Sequence, residues 1–435
     1  MDKSIHKVVR RLDYSLSEME IESLTSEYLE KIENGNFDFS SYNSDVFTQN
    51  KKKRKIISYD KMSIENVICH YLKKRLDSTF KIKYASRSKI INLLFNTLPV
   101  IKDLNDFVII RADFKSFFDS VYTNHVYEKY IMNSLLTRKD KELLDDYCDK
   151  FKYCYAGMCL SNGMTEIVCR DFDKQIRAKL ERYGVVLYER YVDDILIILN
   201  SYLNRDKFLE IVAEVIKDVF EECPVKLNVS PDKFSHIPRR NIQPIQEFNF
   251  LGYEFFIKFS NNKFKFEFGI TEKKRNKYTN IIEQAFIDFK KYGNEELFRQ
   301  RLKIYSSRIV VARSLGENNF EWLTKGITAN YNELQFHMHD LENNTRVFLK
   351  NLYFTLMTKH QISPPYFLVN SNSESSIYNL YSSLERNRSI VFEKNIGVKR
   401  KDLINWIKKL DSSYSDANKN YYQIVIEYLE MLKVE

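Results

Sequence analysis

The stretch RYVDDILIIL, residues 190–199, places two adjacent aspartates, Asp193 and Asp194, between a tyrosine and a run of large aliphatic side chains. Two like charges beside an apolar sheet cost several kcal/mol for each buried ion that lacks a partner. A divalent metal ion held between them would remove that cost. Taken alone, the pair is more typical of a polar turn with both side chains in water, so a further ligand is needed to favour a metal site.

A third carboxylate ends an earlier strand-like run. In DFVIIRADF, residues 106–114, the apolar residues 107–110 favour a strand, and Asp113 terminates the run. Phosphoryl transfer by a two-metal mechanism requires carboxylates from separate elements to converge, so that two Mg²⁺ ions lie about 3.5–4 Å apart. One strand-end aspartate and one Asp-Asp pair supply such a set.

The segment that must position these aspartates alternates short β-rich runs with helices, between about residues 106 and 259. The runs VVLY and ILIIL are suited to buried strands, and the intervening ERYVDD is short enough to form a hairpin turn. Such alternation predicts an α+β or α/β core. The carboxylates would then lie at the tip of a hairpin.

The flanking segments differ from this core. The first hundred residues are mainly helical in pattern, except for NKKKRKII, which fits either a basic strand at a groove edge or a solvated surface run. After about residue 270 the strand signals disappear, and amphipathic helices are predicted, among them residues 297–311, 341–357 and 403–410. We therefore predict three segments: an N-terminal region 1–105, a core 106–262 and a helical domain 263–435.

Composition limits the classes of protein to consider. The chain has 435 residues, and 68 Lys+Arg against 59 Asp+Glu leave a net charge of +9, which favours a polyanionic partner such as nucleic acid. The six cysteines include no Cys-x-x-Cys pair, which indicates reduced thiols rather than a disulfide framework or a zinc site. No signal-peptide core and no apolar stretch of about eighteen residues is present. We expect a cytoplasmic protein without a membrane partner.

Five motifs, in order, resemble those of reverse transcriptases. ADFKSFFDS (residues 112–120) is similar to their first carboxylate motif, and YVDD to their Tyr-x-Asp-Asp motif. AGMCLSNGMTEIV (156–168), LNVSPDKF (227–234) and FNFLGYEF (248–255) resemble the nucleotide-contacting motif, the lysine segment and the primer-grip hairpin. The resemblance implies an RNA-directed DNA polymerase of α+β class. Its right-hand fingers and palm would be built on an RRM-like antiparallel sheet with helices, followed by an all-helical C-terminal domain.

The resemblance also implies roles for the catalytic residues. Asp113, Asp193 and the main-chain carbonyl of Phe114 would hold two Mg²⁺ ions, and Asp194 would support that cluster. Lys233 would protonate the leaving pyrophosphate. Phe118, five residues after Asp113, falls where the family keeps an aromatic gate beneath the 2′ carbon of the sugar, which implies deoxynucleotide substrates.

Further roles concern the nucleotide and the primer. Cations of the basic run would clasp the incoming triphosphate, and a glycine and a serine of the second motif would lie beside the nascent base pair. The primer-grip motif would hold the primer end. The residues implied are Lys53 and Arg54 for the triphosphate, Gly157 and Ser161 for the base pair, and Phe250, Leu251, Gly252 and Tyr253 for the primer.

Departures from the family pattern narrow the type. Cys159 and Ser161 replace the usual proline and glycine of the second motif, which puts the fine geometry of the nucleotide pocket in doubt. The retron Val-Thr-Gly and Asn-Ala-x-x-His motifs, an RNase H carboxylate set and a maturase or zinc-finger endonuclease tail are not found. A compact polymerase followed by a helical domain is most similar to the abortive-infection and "unknown group" bacterial enzymes, which act in defence against phage.

Several alternatives stay open. The chain fits a retron-like or mobile-element reverse transcriptase, and also a catalytically silent, polymerase-derived RNA-binding scaffold. Synthesis could be templated by a dedicated noncoding RNA, untemplated or protein-primed, and a homo-oligomer or a partner protein fits equally. Two basic clusters, residues 273–275 and 399–401, suit either a nucleic-acid contact or solvated helix termini.

Overall fold

The structure is a computed structural model that describes residues 1–13, 16–49, 52–261, 263–314, 320–369 and 377–433. The description excludes the side chains of residues 47–49, 52–54, 314 and 320. The chain divides into two compact units, Met1–Ile242 and Gln243–Glu435. Among the helices in the described ranges, none combines the length and apolar character needed to cross a membrane.

The first unit begins with helices that flank a β-hairpin. Serine side chains cap three of these helices at Ser17, Ser63 and Ser86, each accepting a hydrogen bond from a backbone N–H of the first turn, as expected for helix N-termini. The hairpin strands are antiparallel and carry the basic run. The elements are α1 Asp2–Leu12, α2 Glu18–Glu33, β1 Asn43–Gln49, β2 Lys52–Ser58, α3 Ile64–Thr79 and α4 Arg87–Ile101.

An antiparallel four-stranded sheet and the helices that accompany it form the rest of the first unit. Its strands are β3 Val108–Asp113, β4 Val185–Tyr191, β5 Asp194–Leu199 and β6 Ser235–Pro238, in the order β4-β5-β3-β6. Every residue of β3 is buried, which is consistent with the apolar run over residues 108–110. The helices of this part are α5 Thr123–Val126, α6 Arg138–Lys150, α7 Cys159–Leu180 and α8 Arg205–Phe220.

Aromatic rings fill the core directly behind the end of β3. Phe114 stacks on Phe117 with ring centroids 4.9 Å apart, and Phe172 of α7 and Phe220 of α8 pack edge-on against Phe114 at 5.2 and 6.1 Å. Buried aromatic pairs of this kind add rigidity through both area and geometry. The carboxylate-bearing end of β3 therefore has a rigid support.

The second unit contains two three-stranded sheets and several helices. The strands β7 Ile245–Phe250, β8 Tyr253–Ser260 and β9 Lys263–Ile270 form one antiparallel sheet. The strands β10 Arg308–Ser314, β11 Phe320–Lys325 and β12 Ser389–Phe392 form the other, in the order β11-β10-β12. The helices are α9 Glu272–Tyr292, α10 Glu295–Tyr305, α11 Ile327–Asn330, α12 Asn343–His360, α13 Leu380–Glu385, α14 Arg400–Lys408 and α15 Tyr421–Met431.

The prediction of an all-helical C-terminal domain is wrong. The helix expected over residues 297–311 ends as α10 at Tyr305, and β10 follows after two serines. Ile309 and Val311 are buried with Val310 between them, which is the period-two pattern of a strand. Because β10 pairs in parallel with β12, which lies far along the chain, no local turn signal marks the strand.

The boundary between the two compact units lies at residues 242–243, within the core predicted for residues 106–262. The hairpin that contains Phe250 and Tyr253, assigned from the sequence to residues 106–262, lies in the second unit. The mixed α and β character of the fold agrees with the sequence. The three-segment division remains a prediction.

Candidate metal centre

The three aspartates come together at one end of the sheet. Asp113 ends β3 and pairs in register with Asp194, the first residue of β5. Asp193 lies in the two-residue turn between β4 and β5, where Val192 adopts a positive φ of 59°. One carboxylate oxygen from each aspartate lies within 4.8 Å of the others. The convergence expected from the sequence is confirmed, and the hairpin turn is shorter than ERYVDD, since residues 189–191 belong to β4.

The surroundings of this carboxylate cluster disfavour three negative charges. Burial, together with the charges of Asp113 and Asp194, raises the pKa of Asp193 to about 7. Burial also raises the pKa of Asp194, although the Arg111 guanidinium opposes the shift. Asp113 is only 3% exposed, and its Oδ1 has no hydrogen-bond partner among the described residues. Hard cations such as Mg²⁺ prefer oxygen ligands, so this set fits a divalent cation.

Two cations contact the cluster. The Nζ of Lys233 lies 2.7 Å from Oδ2 of Asp113. Arg111 donates from Nη2 to Oδ1 of Asp194 at 3.1 Å and from Nη1 to the carbonyl of Asp232 at 2.7 Å. Lys233 was predicted, whereas Arg111 was missed. A signal was available, because Arg111 is a charged residue inside an apolar strand, two positions before Asp113 and hence on the same face.

Main-chain hydrogen bonds fix the three segments that meet here. Phe114 donates its N–H to the carbonyl of Asp193 at 3.2 Å, and Asn228 donates to the carbonyl of Asp113 at 2.7 Å. The Phe114 ring is 1% exposed in the aromatic core. Only the main chain of Phe114 is therefore suited to act near the aspartates, in line with its expected role as a carbonyl ligand, which stays a prediction.

A buried arginine holds the turn from behind. Arg190 donates from Nη1 to the carbonyl of Val192 at 2.9 Å. The same guanidinium contacts both carboxylate oxygens of Glu166, at 3.0 and 2.8 Å, and of Asp173, at 2.9 and 3.0 Å, on α7. A planar guanidinium suits such two-pronged contacts. Arg190, also missed from the sequence, ties the turn that bears Asp193 to the longest helix of the first unit.

The glycine of the second motif has a structural task of its own. Gly157 has a φ of 98°, and a Cβ there would lie 2.5 Å from the carbonyl oxygen of Ile57 and 2.6 Å from Cγ2 of Ile56. Ile57 also donates its N–H to the carbonyl of Ala156 at 3.2 Å. The close approach that requires glycine is thus made by β2, the strand with the basic run. An approach to a base pair stays a prediction.

The remaining nucleotide-site residues are placed as follows. Phe118 is partly buried in a short 3₁₀ turn, Phe117–Asp119, with its ring 5.9 Å from that of Phe117. Ser161 is 1% exposed near the start of α7, so its hydroxyl does not reach the surface. The side chains of Lys53 and Arg54 lie outside the described residues. The roles of all four residues stay predictions.

The hairpin that resembles a primer grip is built around buried aromatic rings. Phe250 and Tyr253 are 1% and 0% exposed, and the Tyr253 hydroxyl donates to Glu333. Leu251 and Gly252 form the turn, with φ values of 49° and 85°. The two aromatic side chains therefore stabilise the second unit, and only the turn residues remain suited to contact a primer. The primer-grip assignment itself stays a prediction.

The two basic clusters of the second unit contain paired arginines. Arg275 is bound to Glu254 and lies 3.2 Å from the Thr345 hydroxyl. Arg400 contacts Asp416 at 2.7 Å. These two arginines are held by contacts within the second unit, which disfavours a nucleic-acid contact by their guanidinium groups.

Comparisons with known proteins show a distant structural likeness. No family model and no curated protein matches the sequence. Similar solved structures include apo telomerase from Candida tropicalis truncated from the C-terminal domain, with 15% identity over 57% of this chain and a TM-score of 0.34. Telomerase from Candida albicans in complex with the TWJ fragment of telomeric RNA has 13% identity over 94% of this chain, 68% of its own chain is covered, and the TM-score is 0.39.

The chain spans 60% of the length of the first of these telomerase structures. At such identities and TM-scores the likeness carries no conclusion about activity. The features of this chain that indicate a function are therefore the buried carboxylate cluster and the two cations that contact it.

Proposed function

We propose that this chain is an RNA-directed DNA polymerase that joins deoxynucleotides by two-metal phosphoryl transfer. The observation that carries the proposal is the buried cluster of Asp113, Asp193 and Asp194 at the paired ends of β3 and β5. A cluster of this kind is stable as three carboxylates only when cations neutralise it. The reaction class, RNA-directed DNA synthesis, is inferred from the order of the five motifs that resemble those of reverse transcriptases.

Each residue has a distinct task in this proposal. Asp113 and Asp193 would hold two Mg²⁺ ions, which supply charge stabilisation and activation of the attacking hydroxyl. Arg111 orients the carboxylate of Asp194, so Asp194 would support the metal-holding aspartates. Lys233, which contacts Asp113 at 2.7 Å, would hold the proton that the departing pyrophosphate takes up.

Substrate choice would depend on residues beside the cluster. Phe118 would lie under the sugar and exclude a ribose hydroxyl. Lys53 and Arg54 would contact the triphosphate, with the arginine making two-pronged contacts and the lysine acting as a point charge. The hydrogen bond from the N–H of Ile57 to the carbonyl of Ala156 connects β2, the strand that contains Lys53 and Arg54, to the second motif.

The biological setting is proposed from the resemblance alone. We infer that the enzyme acts in anti-phage defence in the cytoplasm, on an RNA template that could be a dedicated noncoding RNA, with DNA as its product. A retron-like or mobile-element setting is the alternative. A silent RNA-binding scaffold is disfavoured because an unused metal site would retain the electrostatic cost of three buried carboxylates.

The test is incorporation of labelled nucleotides by purified protein with Mg²⁺. Each dNTP is supplied singly and together, with and without RNA, and the wild type is compared with Asp193→Ala. Asp206→Asn is the matched control, because Asp206 is an exposed carboxylate in the first turn of α8. Incorporation by wild type and control alone would support the proposal. Equal incorporation by Asp193→Ala would refute the metal assignment, and dependence on RNA would separate templated from untemplated synthesis.

A further inference from the structure

A cleft in the second unit has features that the proposed polymerase site does not explain. It has a volume of about 930 Å³ and lies between the end of α10, strand β12 and helix α14. Its size matches sites for organic ligands rather than for a single small ion. Apolar residues line part of it, in particular Ile390 and Val391. Three lysines, Lys303, Lys408 and Lys409, line another part, and one carboxylate, Asp402, also belongs to the lining.

Lys303 is held in this cleft by an aromatic ring. Its Nζ lies 4.4 Å from the centroid of the Trp406 ring, and Trp406 in turn packs against Tyr428 at 5.9 Å. A cation above an indole ring is attracted by the ring quadrupole without losing its charge. The Trp406 ring therefore fixes the position of the Lys303 ammonium at the wall of the cleft.

The charges around Lys303 are mostly of the same sign. Burial lowers the pKa of Lys303, and the positive charges of Arg299 and Lys409 lower it further. The opposing carboxylate, Glu296, is already engaged by Arg299 at 2.7 Å and by the amide of Gln300 at 2.7 Å. Bringing like charges together is unfavourable, so a bound anion would stabilise this cleft.

A simpler interpretation is that these lysines offset helix dipoles. Lys303 lies in the last turn of α10 and Lys408 in the last turn of α14, where cations are favoured. That interpretation explains each lysine separately. It does not explain why both line one cleft together with Lys409, nor why the Lys303 ammonium lies over the Trp406 ring.

We infer that this cleft binds the phosphate and base of single-stranded nucleic acid. Lys303, Lys408 and Lys409 would contact phosphate oxygens, and the apolar side chains of Ile390 and Val391 with the edge of Trp406 would contact a base. Single-stranded sites generally combine such cations with aromatic and apolar surface. A free nucleotide presents the same chemistry, and the test separates the two sources.

The test uses Trp406 as its own reporter. The chain has two tryptophans, so Trp322→Phe leaves Trp406 as the single source of indole fluorescence. This full-length protein is titrated with short oligouridylate, with uridine monophosphate and with oligoglutamate at equal charge concentration. Lys303→Met is then compared with Lys350→Met, because Lys350 lies over Tyr381 at 4.5 Å and makes the same kind of contact outside the cleft.

The expected result is a saturable fluorescence change with oligouridylate. The dissociation constant should be about tenfold weaker for Lys303→Met, unchanged for Lys350→Met, and less dependent on salt in the Lys303 variant. Saturation with the monophosphate at equal affinity would assign the cleft to free nucleotides. Saturation with oligoglutamate, equal weakening by both lysine variants, or no fluorescence change would overturn the inference. Binding does not require the aspartates, so an Asp193→Asn protein should bind equally well even if the proposed polymerase activity fails.

Discussion

Asp193→Asn should stabilise the protein in the absence of divalent metal while abolishing the proposed polymerase activity. The substitution keeps the shape of the side chain and removes one negative charge from a cluster of three. Burial and the neighbouring carboxylates raise the pKa of Asp193 from 3.8 to about 7, so the ionised form is disfavoured in the folded state. The neutral amide avoids that cost.

The magnitude follows from the size of the pKa shift. A pKa raised from 3.8 to about 7, converted at about 1.36 kcal/mol for each pH unit, gives an upper value of about 4 kcal/mol for the gain in unfolding free energy above pH 8. We expect a gain of about 1–4 kcal/mol. Because the folded-state pKa is raised, protonated Asp193 contributes its full share of stability to the wild type below pH 4. That stability is lost as the pH rises through about 7 and the carboxyl group ionises. The advantage of the variant should therefore be absent at pH 4 and grow to its full value by pH 8.

The assay is thermal unfolding in a metal chelator at several pH values. For a unit of this size each kcal/mol corresponds to about 2–4 °C, so a rise of at least about 2 °C is expected at pH 8. Mg²⁺ should then stabilise the wild type more than the variant, because ligand binding to the folded state adds to stability.

Asp140→Asn is the matched control because it should act in the opposite direction. Burial alone would raise the pKa of Asp140, but hydrogen bonds from Tyr71, Thr137 and Arg75 outweigh burial and lower it. Losing the charge there should destabilise the protein by about 1–3 kcal/mol. A destabilised Asp193→Asn protein at pH 8, or the same sign for both variants, would refute the electrostatic account of the cluster.

The remaining predictions concern positioning, substrate choice and pH. Phe118→Ala should admit ribonucleotides, measured as incorporation of rNTPs against dNTPs; continued exclusion would place the gate elsewhere. Arg190→Met should destabilise the protein by about 3–5 kcal/mol, because Glu166 and Asp173 lose their buried partner. It should also weaken Mg²⁺ binding measured by calorimetry, because Arg190 holds the carbonyl of Val192 in the turn that bears Asp193. An unchanged metal affinity would show that the Val192 contact is only structural. Gly157→Ala should displace β2 and raise the KM for dNTPs more than it lowers kcat, whereas an unchanged KM would argue against nucleotide binding by the cations of β2. Mg²⁺ affinity should fall as the pH drops below about 7, because a proton on Asp193 competes with the metal, and a flat titration would contradict this.

Much of the carboxylate cluster could be predicted from the sequence because the patterns that indicate it are local. An apolar run that ends in Asp113 and a second run that begins with Asp194 each predict a strand with a terminal carboxylate. Antiparallel pairing then brings strand ends together, and the register Asp113 to Asp194 does so directly. Lys233 came from the motif order, and the structure places its ammonium on Asp113.

The contacts that stabilise the centre could not be read in the same way. Arg190 looks like an ordinary polar residue beside Tyr191, and its partners Glu166 and Asp173 lie on a helix whose packing depends on the whole unit. Gly157 was assigned from the sequence to an approach to a base pair, which stays a prediction, whereas the constraint seen in the structure comes from Ile57, which is far away along the chain. Such pairs have no spacing rule, because they form only when separate elements pack.

The sequence by itself determined the carboxylate set, the strands that carry it and the mixed α and β character of the first unit. It did so because strand periodicity and chain order are local properties. Only the tertiary structure decided that β10 joins β12 in a sheet of the second unit, that Tyr253 is a core residue, and that Lys303 lies over Trp406 in a cleft. Each of these depends on side chains distant in sequence, whose meeting is set by the packing of the whole unit and not by any residue's neighbours.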